Sequence, residues 1–175
     1  SKSLMDCLKQ IRPIETDIYA EAELESEQTK IPLEQLLINQ GIVSDEDLVL
    51  ATAEYLDIRP LSLQGFSPTP ALLELLDKER WQEYKALPIA KLGSMLTVAM
   101  ADPFNLAARD SLASSTQLEL VPVIALESEI LNAINEATQQ PERGLEDILK
   151  DMADESDVEL GKENLEDGNL DDRME

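Results

Sequence analysis

The chain has 175 residues, with 37 acidic and 14 basic side chains, no histidine, one cysteine and a formal charge of −23. Such a field repels phosphate backbones and anionic headgroups, which argues against nucleic acid and direct membrane insertion and favours a basic protein surface as partner. The missing histidine removes most hydrolytic triads and zinc sites, Cys7 has no mate for a disulfide, and no apolar run reaches the roughly 18 residues of a membrane span.

A cytoplasmic setting is therefore expected, with Cys7 acting as a small apolar side chain beside Leu4 and Leu8. Leu4, Leu8 and Ile11 stand at helical spacing before Pro13, so a short amphipathic helix opens the chain. Residues 15–29 are rich in Glu with sparse apolar positions, which suits a solvated helix or a mobile connector. Leu33, Leu36, Leu37 and Ile38 mark a helix that Gly41 closes. Ser44, three residues before Asp47, starts a second helix over about 45–56 in the manner of a capping box. Joined by the turn 41–44, the two form a helical hairpin expected to bury Leu36, Leu37, Ile42, Leu48 and Tyr55 together.

An extended connector over 58–63 leads to a Pro-rich segment, where Thr69 as cap and Pro70 at the first helical position begin a helix lined by Leu72, Leu73, Leu75 and Leu76. The helix continues or restarts through Lys78 to Tyr84. Residues 86–90 and 95–100 read as a β-hairpin around Leu92-Gly93-Ser94. Asp102-Pro103 is expected to cap a helix containing Leu106, Arg109, Asp110 and Leu112, and residues 118–123 alternate as a third strand that Pro122 assigns to an edge. Leu126, Ile130, Leu131 and Ile134 complete the unit with a helix ending near Thr138. The fold class is α+β: an N-terminal helix and acidic connector over 1–30, a helical hairpin over 31–57, and a small α/β unit with a three-stranded sheet over 58–138. An acidic, disordered tail over 139–175 follows as a flexible linker, its residues 141–175 carrying 14 acidic against 4 basic side chains.

No constellation for catalysis, cofactor or metal stands out. There is no Gly-x-x-x-x-Gly-Lys-Ser/Thr loop for nucleotide phosphates, and no EF-hand spacing in the tail. Asp45, Glu46 and Asp47 are read as serving a helix N-terminus rather than acid–base chemistry. The one basic and aromatic cluster is Arg80, Trp81, Tyr84 and Lys85, beside Lys78. It is a candidate partner contact, set against the plainer reading of an amphipathic helix that buries its rings.

The block Leu33-Glu34-Gln35-Leu36-Leu37-Ile38-Asn39-Gln40-Gly41-Ile42-Val43-Ser44 resembles the helical-hairpin motif at the N-terminus of bacterial type II secretion and type IV pilus assembly ATPases. Tyr84–Ile89, Leu96–Pro103 and Leu120–Ala125 with Ser128-Glu129-Ile130 resemble the α/β unit after that hairpin, so the similarity spans about residues 31–138. The resemblance implies a non-catalytic docking and regulatory domain that holds the ATPase to the cytoplasmic part of an inner-membrane assembly-platform protein. The motor domain would lie C-terminal to the chain, as expected of a fragment peripheral to the inner membrane. Similar domains also look to be attached to glycosyltransferases. Some relatives sense cyclic di-GMP through two copies of the hairpin motif, each opened by arginine, leucine and glycine. Here Pro32, Leu33 and Glu34 occupy those positions, no second copy is visible, and Glu34 would repel a phosphate, so the resemblance argues against cyclic di-GMP as a partner.

Overall fold

In a computed structural model, which describes residues 1–138, the N-terminal third is helical and each helix starts where its first-turn chemistry allows. Helix α1 (Leu4–Ile11) opens on a capping box: Ser3 Oγ accepts from the Asp6 N–H at 3.1 Å and the Asp6 carboxylate accepts from the Ser3 N–H at 3.0 Å. Helix α2 (Thr16–Thr29) is the acidic segment, helical with only Ala22 buried. Helix α3 (Leu33–Asn39) ends at Gly41, whose φ of +72° lets the Ile42 and Val43 N–H groups return to the Leu37 carbonyl. Helix α4 (Asp45–Leu56) starts on a full capping box between Ser44 and Asp47.

Cys7, Leu8, Ala22, Leu37, Val43 and Ala51 form the core of this helical part. Helix α4 packs chiefly on α1, because its small Ala51 admits a close neighbour and α1 supplies Cys7 and Leu8. This corrects the expected hairpin interior. Leu36 and Leu37 are buried, Ile42 and Leu48 are half-buried, and Tyr55 is 44% exposed. The Tyr55 ring lies instead against Phe104, their centroids 5.9 Å apart.

The α/β part begins with a single turn, α5 (Pro70–Leu73), capped by Thr69 Oγ1 on the Leu72 N–H with Pro70 at the first position. The chain restarts as α6 (Lys78–Tyr84), then folds back as β1 (Ala86–Leu92) and β2 (Met95–Met100), an antiparallel pair with a bulge between Pro88 and Ala90. Helix α7 (Leu106–Thr116) carries the chain across to β3 (Glu119–Ile124), which pairs parallel to β2. The sheet order β1-β2-β3 puts the apolar Leu96–Met100 run at its centre and Pro122 on an outer strand, next to a short bridge from Pro60 to Ile124. A last helix, α8, occupies 127–138 to the end of the described residues. Trp81, Leu87, Leu96, Val98, Met100, Leu112, Ile130 and Ile134 fill the core beneath the sheet.

The start of α7 differs from expectation. Asn105, not Asp102, is its cap, with Oδ1 accepting from the Ala108 N–H at 3.0 Å. Asp102 precedes a proline and so resists helical geometry, and its carboxylate instead accepts from the Phe104 N–H at 3.1 Å, closing an Asx-turn ahead of the helix. No helix among the described residues is long and apolar enough to cross a membrane. The expected tail over 139–175 lies outside the described residues.

Candidate functional site

A groove of about 690 Å³ lies between the helical part and the carboxyl ends of the central and outer strands. One wall comes from α3 and α4 (Pro32, Glu34, Gln35, Asp45, Leu48, Val49, Thr52) with Leu4 of α1. The other combines the end of α6 (Glu83, Tyr84, Lys85), the loop 101–105 and residues 124–128 after β3. Its position follows from topology, since loops that leave the carboxyl ends of adjacent parallel strands diverge and leave a crevice.

The lining is polar in one sense. Glu34, Asp45, Glu83, Asp102 and Glu127 supply five carboxylates against the single cation of Lys85, which is itself ion-paired with Glu127 of the same wall. Among the described residues Glu34, Asp45 and Glu83 have no ion-pair partner, and no cluster of three ligating side chains could hold a metal ion. Behind Asp45 the Asp47 carboxylate accepts from the Ser44 N–H at 2.9 Å and from Arg12 Nε at 3.1 Å. Burial pushes the Asp47 carboxyl pKa upward, but the Ser44 N–H and the Arg12 guanidinium outweigh it, and the net position is below the ordinary carboxylate value. The α4 wall is thereby fixed to α1.

The cluster read from sequence is split by the structure. Trp81 has no exposed surface: its ring is core and its Nε1–H donates to the Leu73 carbonyl at 3.0 Å, so it does not reach a partner. Arg80 donates to Ser115 Oγ at 3.0 Å beside a shallow depression that Tyr84 also lines. Tyr84 and Lys85 alone face the groove. Phe104 was missed, although an aromatic after Asp-Pro, where a turn exposes the next side chain, is a signal the sequence carries. It lines the groove and is 43% exposed.

A family model described as the MshEN domain matches residues 54–144. The chain belongs to the MshEN domain family. The type IV pilus assembly ATPase PilB of Myxococcus xanthus (strain DK1622) is 30% identical over 130 residues, 74% of this chain but only 23% of PilB, so the chain spans about a quarter of that relative's length. Among solved structures, MshE with cdg, cyclic di-GMP, superposes with a TM-score of 0.68 at 24% identity, covering 78% of this chain and 99% of that one. The N-terminal domain of XpsE follows with a TM-score of 0.58 at 24% identity, covering 75% of this chain and 91% of its own. The resemblance to secretion and pilus assembly ATPase N-terminal domains therefore holds. The expectation against cyclic di-GMP does not: MshE, which has this fold, was solved with the dinucleotide. That expectation weighed Pro32, Leu33 and Glu34 and the lack of a second motif copy, whereas the groove that Pro32 and Glu34 border takes its opposite wall from residues far along the chain.

Proposed function

We propose that this chain is a cyclic di-GMP-sensing regulatory domain of a secretion or pilus assembly ATPase. The observation that carries this reading is the shared fold with MshE, a likeness that covers nearly the whole of the domain solved with the dinucleotide. The groove adds to it, since 690 Å³ lies within the roughly 300–1,000 Å³ common for small-ligand sites. The docking role expected from the resemblance gives way to this reading.

Electrostatics shape how such a ligand binds here. The dinucleotide carries two phosphates, and the chain meets it with a net charge of −23 and a carboxylate-rich groove, so long-range attraction is absent. Affinity draws on base and backbone contacts, and added salt screens repulsion rather than attraction. Thermal melting of the full chain with cyclic di-GMP tests the reading. A ligand at 100 times its dissociation constant stabilises by about 2.7 kcal/mol, an upward shift of roughly 8 °C or more for a unit of this size. The shift is expected to persist or grow between low salt and about 0.3 M salt. No shift at millimolar ligand at either salt concentration overturns the proposal.

A further inference from the structure

Loop 101–105 is unusually well fixed for a loop that presents a large apolar side chain to solvent. Asp102 closes an Asx-turn on the Phe104 N–H, Pro103 is buried, and Asn105 caps α7, so both neighbours of Phe104 are locked. Phe104 is nonetheless 43% exposed, and the ring packed against it, Tyr55, is 44% exposed. The pair is tilted by 42° at a centroid distance of 5.9 Å, and Phe104 lines the groove whereas Tyr55 does not. A preorganised, half-exposed ring at the edge of a groove is the arrangement that planar bases stack on, because every base has a π-face and the ring loses little freedom on binding.

We propose that Phe104, backed by Tyr55, is the stacking platform for a guanine base bound in this groove. The inference rests on the dinucleotide reading and deepens it by naming the side chain that holds a base. The choice of guanine follows from the acceptors that line the same groove. The groove offers unpartnered carboxylates in Glu34, Asp45 and Glu83, and the Watson–Crick edge of guanine presents N1–H and N2–H₂ donors that a single carboxylate accepts together. Adenine presents an unprotonated N1 there, whose lone pair faces carboxylate oxygens without a proton between them. Stacking thus supplies affinity and the acidic wall supplies selectivity.

Calorimetric titration of the full chain with cyclic di-GMP, and separately with cyclic di-AMP, tests this on the wild type and on Phe104→Ala, Phe104→Trp and Tyr55→Ala. Phe104→Ala is expected to weaken cyclic di-GMP binding at least about ten-fold with an unchanged circular-dichroism melt, and Tyr55→Ala to weaken it less. Phe104→Trp is expected to bind at least as well as wild type, with the emission of the added indole quenched by ligand against a constant background from buried Trp81. Cyclic di-AMP is expected to bind at least ten-fold more weakly than cyclic di-GMP. If the wild type binds and Phe104→Ala stays within two-fold of it, the platform is refuted while the dinucleotide reading stands. If the wild type binds neither ligand, both fail. A Phe104→Trp variant that binds without any change in emission also refutes the platform.

Discussion

Replacing Asp47 by alanine tests how the α4 wall of the groove is held. Asp47 is 7% exposed and its carboxylate accepts from two donors, the Ser44 N–H and Arg12 Nε, while its own N–H is capped by Ser44 Oγ at 3.0 Å. Truncation removes the Asp47 half of the capping box and with it the partner of the Ser44 N–H, one interaction worth about 1 kcal/mol. Arg12 adds less, because its side chain is 57% exposed and water screens the pair. The expected loss is about 1 kcal/mol, or roughly 4 °C in Tm, read by urea and thermal denaturation at pH 7. The pH dependence has a definite sign. The folded carboxyl titrates below its unfolded value, so its stabilisation is fully present above about pH 5 and fades as pH falls through the folded pKa. The gap between wild type and Asp47→Ala should therefore narrow below about pH 4. A variant within 0.5 kcal/mol of wild type at pH 7, or a gap that stays constant down to about pH 2, refutes the reasoning.

Gly41→Ala places a side chain at a φ of +72° where the added Cβ meets nothing within 4 Å, so the cost is backbone strain alone, about 1 kcal/mol by chemical denaturation. Trp81→Phe removes the donor to the Leu73 carbonyl and opens space in a fully buried site, with an expected loss of about 2 kcal/mol and a steeper fall in thermal midpoint than Gly41→Ala.

Local chemistry was legible in the sequence where a few adjacent residues decide the outcome. Ser44 with Asp47, Thr69 with Pro70, and Gly41 each fixed a helix end through contacts within six residues, and all three occur as read. The central strand announced itself as a mostly apolar run interrupted by Thr97 alone, and Pro122 announced an edge. What was not legible depended on distant partners. Tyr55 has the spacing of a core residue on α4, but whether it is covered depends on where α1 and loop 101–105 lie. For Trp81 the plainer reading, a helix that buries its rings, is the one that occurs, but the Leu73 carbonyl that satisfies its indole belongs to the preceding helix and no local pattern named it. Asp102 looks like a helix cap, and only the Asx-turn shows that the capping role passed to Asn105. The groove itself joins Glu34 to Glu127 across more than half of the described chain, so no single motif could carry it. Pro32, Glu34 and the missing second motif copy speak for one wall alone, and MshE, which shares this fold, was solved with the dinucleotide.

Amide chemical-shift mapping of the isotopically labelled full chain during titration with cyclic di-GMP tests the central claim most directly. The account predicts saturable shifts concentrated on both walls of the groove, at Gln35, Val49, Phe104 and Ser128, with the exposed hairpin tip at Leu92 and Gly93 unmoved. Shifts that fail to saturate, or that gather on the hairpin tip or the Arg80 and Ser115 face while the groove stays silent, would contradict it.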